Sequence, residues 1–192
     1  MPNQHSDFQN SLNNTQSRRW HHRPAHVFEP NMAYIVTAGT LNKEHFFRGD
    51  ERLELLQTTI FEVLEAYEWQ LQAWAVFSNH YHFIALSPAI PNTLRSMIGR
   101  LHSQTARVIN QLDGAPGRRV WFQYYDTCLT YENSYYVRLN YVHNNPVKHG
   151  IVGNAELYLW CSAAWFRQNT EQGYYNKVGS FRCDHLNIAD DY

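Results

Sequence analysis

The hydrophobic pattern of this chain changes period several times, and the order of those changes limits the folds open to it. Residues 33–40, Ala-Tyr-Ile-Val-Thr-Ala-Gly-Thr, are rich in β-formers and read as a buried first strand. Leu53, Leu56, Ile60, Val63, Leu64 and Tyr67 then recur at helical spacing behind Asp50, which is placed to cap that helix. Residues 70–77 and 81–87 suit a second and a third strand, joined tightly through Ser78 and Asn79. Pro91 and Asn92 open a second helix with Leu94, Met97, Ile98, Leu101, Val108 and Leu112 on one stripe, stopped by the run Asp113 to Gly117. Residues 121–130 are aromatic and β-rich, which predicts a fourth strand. A third helix is expected from Asn133 or Ser134 and must end by Asn145, because Pro146 disfavours helical geometry in the residue before it.

The resulting order, β-α-β-β-α-β-α, predicts an α+β fold of the ferredoxin-like, split βαβ kind, an antiparallel sheet with helices on one face. The other face is then free to work. Residues 31–167 form the expected functional domain, residues 1–30 a polar, disordered arm, and residues 168–192 a polar C-terminal tail. A chain of 192 residues with 44% hydrophobic residues can bury one core. It has no run long enough to span a bilayer and no apolar signal segment, so no membrane partner and a cytoplasmic location are expected. Cys128, Cys161 and Cys183 are too few and too scattered for a disulfide framework or a zinc knuckle.

A net charge of −1 speaks against a uniformly basic, phosphate-gripping protein. The charge is unevenly spread, however. Residues 91–150 carry +4 and the remainder −5, so a positive surface can gather on one side.

Two local features carry chemistry. In Asn79-His80-Tyr81-His82-Phe83-Ile84-Ala85, strand alternation puts His80 and His82 side by side with Tyr81 and Phe83 turned away. Two imidazoles rooted about 7 Å apart can converge on one cation, although the same pair also suits an exposed polar sheet face. The second feature is the run 140–150, Asn-Tyr-Val-His-Asn-Asn-Pro-Val-Lys-His-Gly. Tyr135, Leu139 and Val142 form the stripe that packs on the core, while Tyr141 lies off it with Asn145 four residues on, so a phenol and a carboxamide project together. A tyrosine stacked on a sheet is the commoner outcome of such a position.

Together His80, His82, Tyr141 and Asn145 resemble the HUH-type single-strand endonucleases with one catalytic tyrosine. More narrowly, Thr37 in the first strand, the Asn-His-x-His strand, Trp121-Phe122-Gln123 and the run 141–150 resemble the REP-associated tyrosine transposases over roughly residues 33–166. The resemblance implies that His80 and His82 bind a metal, that Tyr141 is the nucleophile and that Asn145 completes the metal shell. Asparagine stands where related insertion-sequence transposases usually carry glutamine, which keeps the carbonyl ligand but shortens its reach.

The implied activity is cleavage and rejoining of single-stranded, hairpin-forming DNA through a 5′-phosphotyrosine link. Mg2+ or Mn2+ is the implied cofactor, with Mn2+ better matched to histidine. Arg95, Arg100, Arg107, Arg138 and Lys148 are the candidates for holding phosphates, and Tyr124 and Tyr125 for stacking on unpaired bases. The implied place of action is the cytoplasm, at the nucleoid, and both a homodimer, as in related insertion-sequence transposases, and a monomer, as in the repeat-associated branch, stay open. Two other readings remain: a catalytically silent hairpin-DNA-binding regulator on the same scaffold, and a metal-dependent hydrolase in which Tyr141 only positions substrate.

Overall fold

A computed structural model describes residues 30–183. The expected arm at residues 1–30 therefore lies outside the described residues except for Pro30, as does the end of the chain from residue 184. Four strands, β1 (Ala33–Thr40), β2 (Gln70–Val76), β3 (His80–Leu86) and β4 (Trp121–Leu129), form one sheet in the order β2-β3-β1-β4, with every neighbouring pair antiparallel. Helix α1 (Asp50–Ala66) connects β1 to β2, and α2 (Leu94–Leu112) connects β3 to β4. This is the split βαβ arrangement expected from the pattern of periods. No helix among the described residues is long and apolar enough to cross a membrane.

Strand alternation sorts the core into two halves. Tyr34, Val36, Ala38, Tyr81, Phe83 and Ala85 face α1 and α2, and meet Leu56, Ile60, Leu94, Met97, Ile98 and Leu101. Leu56 is fully enclosed there, so Leu56→Ala would cost about 2–5 kcal/mol through lost burial and the cavity left behind. The stripe of α2 differs from expectation in its second half, where Thr105 and Ile109 are buried and Leu112, in the last turn, is exposed. Asp50 likewise does not cap α1. Gly49 holds that place with φ +96°, a left-handed angle open to glycine, and Asp50 and Glu51 bring their carboxylates to the positive end of the helix dipole.

The opposite face is not bare. Helix α3 (Glu132–Lys148) packs mainly across β2 and β3, joined by the 3-10 turn at Ala155–Leu157 and by two short helices, α4 (Ala163–Asn169) and α5 (Gln172–Gly179). The expected polar tail from residue 168 is thus partly structured. Val178 is buried, the rings of Tyr174 and Phe181 meet Tyr136, and Lys177 pairs with Glu132 at 3.0 Å, so the packed unit runs on past residue 167.

The two sheet edges also differ. Residues 160–162 cover β2, with the Val76 amide donating to the Trp160 carbonyl and the Ser162 amide to the Trp74 carbonyl, both at 2.9 Å. On the far edge β4 pairs with β1 alone among the described residues, and α3 leaves most of its inner face in solvent.

Candidate functional site

His80 and His82 project from β3 toward α3, on the face that also carries Ala33, Ile35 and Ile84. Each imidazole is anchored through Nδ1. His82 Nδ1 lies 2.7 Å from the hydroxyl of Thr37, its direct cross-strand partner on β1. His80 Nδ1 lies 2.8 Å from Oδ1 of Asn79. The Asn79 amide nitrogen donates to the Lys43 carbonyl at 3.3 Å, which leaves Oδ1 as an acceptor and makes His80 Nδ1 the protonated nitrogen. Nε2 of His80 then keeps the lone pair that ligation requires. The ring also stacks on Phe77 at 4.4 Å, and Phe77 in turn stacks on Tyr158, so the imidazole is held in orientation as well as in place.

The helix opposite continues through Pro146, contrary to the expected stop at Asn145. Proline removes the amide that would have bonded to the Val142 carbonyl. The buried Cys161 thiol fills that gap, with Sγ 3.8 Å from the Val142 carbonyl and 3.5 Å from that of His143. Beyond Lys148 the helix closes by a Schellman motif, in which the Gly150 amide donates to the Val147 carbonyl at 2.9 Å and the Ile151 amide to the Pro146 carbonyl at 3.0 Å. Gly150 adopts φ +67°, and His149 is fixed as the helix cap.

Because the helix runs on, Tyr141, Asn145 and His149 occupy successive turns of one side. The Tyr141 ring meets the His82 ring edge-to-face at 5.4 Å, and the His149 ring lies 4.9 Å from that of His80. One ring nitrogen from each of His80, His82 and His149 falls within 4.8 Å of the others. Asn145 is fully enclosed, and both polar atoms of its carboxamide are buried without a hydrogen-bond partner. Leaving such a group unsatisfied costs about 1–3 kcal/mol per polar atom, and a ligand at this spot would remove that penalty. Imidazole nitrogens beside an amide oxygen form a donor set that fits a divalent cation.

The expected residues thus divide into those brought together and those kept apart. His80, His82, Tyr141 and Asn145 converge, and Lys148 joins them with its ammonium 4.9 Å from the centre of the Tyr141 ring. Arg138 stands one turn before Tyr141 on α3. It is half-buried, which lowers its pKa through desolvation, and its guanidinium donates to the Ser134 hydroxyl at 2.5 Å. Arg95, Arg100 and Arg107 lie on α2, across the sheet from the site.

His149 was not singled out from the sequence, since an expected helix end at Asn145 hid its phase relation to Tyr141. Basic residues followed by glycine, Lys148-His149-Gly150, were the available signal of a later helix end. The Tyr141 ring is only 2% exposed, buried beside the imidazoles rather than projecting into an open hollow.

Fold and site together define an α+β sandwich protein with a candidate metal and tyrosine centre between sheet and helix. The chain belongs to the IS200-like transposase family, whose model matches residues 29–145, a span that takes in His80, His82, Tyr141 and Asn145 and stops short of His149. Among solved structures the fold is similar to that of a REP-associated tyrosine transposase bound to a REP hairpin, at 17% identity and a TM-score of 0.63, covering 90% of this chain and 95% of that one. A candidate transposase from Deinococcus radiodurans R1 matches at 16% identity over 64% of this chain and 97% of the other, with a TM-score of 0.45. No curated protein matches the chain.

Proposed function

We propose that this transposase cuts and rejoins single-stranded DNA at hairpin-forming, REP-like repeats, storing the broken bond as a 5′-phosphotyrosine on Tyr141. The observation that carries the reading is the edge contact of the Tyr141 ring with His82, a member of the cluster of three imidazoles. Hairpin recognition is supported by the similar fold that carries a REP hairpin.

In this reading Tyr141 Oη attacks the scissile phosphorus and gives up its proton, to a base or to water, as the new bond forms. The bond from phosphorus to the 3′ oxygen breaks, which frees a 3′-hydroxyl and leaves the 5′ end on the phenol. Attack by a 3′-hydroxyl reverses the step and joins strands. Lys148, whose ammonium lies over the ring, would favour the developing phenolate, and Arg138, one turn earlier on α3, would hold a neighbouring phosphate. His80 and His82, with Asn145 and His149 as helical partners, are the residues that would hold a divalent cation, Mn2+ in preference to Mg2+. Such a cation supplies charge neutralisation at the phosphate. All of these groups come from one chain, so completing the centre does not require a second copy. The reaction belongs in the cytoplasm, at the nucleoid.

The test is a labelled single-stranded hairpin incubated with Mn2+. Wild-type protein should form a covalent adduct stable to denaturation, and Tyr141→Phe should bind the hairpin yet form none. The burial of Tyr141 favours a second reading, a hairpin-binding regulator without chemistry. Tight binding by wild-type protein with no adduct in any divalent metal would establish that reading instead.

A further inference from the structure

The sheet register extends the proposed site sideways. On the row through His82, Ala75, His82, Thr37 and Tyr125 follow one another across all four strands, and on the next row His80, Gly39 and Gln123 follow one another across β3, β1 and β4. Paired residues of an antiparallel sheet share a face, so Tyr125 and Gln123 stand on the same side as the imidazoles. Tyr125 is rooted two strand spacings from His82, about 10 Å.

The two halves of this face differ in cover. Over β2 and β3 it lies beneath α3, whereas on β4 Gln123, Tyr125 and Thr127 are all exposed, Tyr125 at 48%. Glycine at position 39 leaves the row between His80 and Gln123 without a side chain to obstruct it. The Gln123 amide donates to the Tyr125 hydroxyl, so the carboxamide stands beside the exposed ring on the same strand face. An aromatic face and an amide displayed at an open edge, on the same sheet face as the centre proposed to act on the phosphate, have the chemistry that recognises an unpaired base.

The geometry points to Tyr125 as the platform on which a nucleobase next to the scissile phosphate stacks, with Gln123 bonding to that base's polar edge. The occupant is the single-stranded flank of the DNA substrate. This assignment deepens the function proposed above, and it predicts that the strand enters across β4 before its phosphate reaches Tyr141.

The experiment uses full-length protein and a fluorescent hairpin with unpaired flanks, in which each flank nucleotide is replaced in turn by an abasic one. With wild-type protein, one abasic position near the cleavage point should weaken binding by about tenfold, the scale of one base–aromatic stack. Tyr125→Ala should weaken the intact DNA by a similar factor and abolish the penalty at that abasic position. Tyr125→Phe should behave as wild type, and Gln123→Ala should weaken the choice among bases at that position. Circular dichroism melts show whether each variant folds. If folded Tyr125→Ala binds as wild type, or keeps the full abasic penalty, the platform is overturned. The readout is binding and needs no cleavage, so a wild-type protein that forms no adduct refutes the proposed chemistry and leaves the platform to be decided by these measurements.

Discussion

Asn79 accepts a 2.8 Å hydrogen bond from His80 while its amide nitrogen is tied to the Lys43 carbonyl, so a loop carbonyl decides which nitrogen of a strand histidine carries the proton. Asn79→Ala should therefore weaken Mn2+ binding by about 10- to 100-fold with the fold intact, the usual effect of losing a partner behind a metal-ligating imidazole. A Mn2+ titration of the purified protein by calorimetry measures it. An unchanged affinity would detach His80 from the metal.

Gly150 sets the position of His149 by closing α3 in the left-handed region. Gly150→Ala should destabilise the protein by about 1–2 kcal/mol, because a side chain is strained at that angle. For a chain of this size that is a fall of about 2–8 °C in Tm. The same variant should lose Mn2+ affinity, as should His149→Ala, for which the Tm should hardly move.

His102 lies beneath the sheet, its ring stacked on Trp121 at 4.4 Å and its Nε2 3.0 Å from the Tyr81 hydroxyl. Burial lowers its pKa from 6.5 to about 3. A histidine kept neutral in the folded state takes up its proton on unfolding, so its contribution is full above pH 6.5 and declines as pH falls from there toward 3. The loss approaches about 1.4 kcal/mol per pH unit within that window. His102→Phe, which preserves the stack, should lessen the dependence of Tm on pH between 6 and 4 and leave the part due to buried His143, whose pKa is lowered to about 3 in the same way, as differential scanning calorimetry can read.

Cys161 is held against two carbonyls of α3, and burial pushes its thiol up to about 12. Iodoacetamide at pH 8 should spare it in the native protein and modify it after unfolding, as mass spectrometry of the peptides would show. Native modification at a rate matching that of a free thiol would mean that the thiol does not stay against the helix.

Much of this was legible in the sequence because it rests on short-range periodicity. The alternation in residues 79–85 turned His80 and His82 to one side, and the order of periods gave the sandwich. The remaining features depend on contacts distant in sequence. Nothing near Pro146 announces that Cys161, fifteen residues on, will satisfy the carbonyl that proline leaves open, so the helix looked shorter than it is and His149 looked unrelated to the site. Residues 172–179 are too polar to read as part of a core. They fold onto α3 through Val178 and the rings beside Tyr136. Exposure of Tyr125 follows from where α3 lies across the sheet, a tertiary fact with no local signature.

On the reaction proposed above, the burial of Tyr141 would bear on what becomes of a cut strand. An ester on a phenol sheltered in this way would be kept from bulk water, the reagent that would turn a temporary break into a permanent one. The severed end would wait for another hydroxyl of the DNA, so the protein's confinement of one ring would favour exchange of strands over damage to the chromosome.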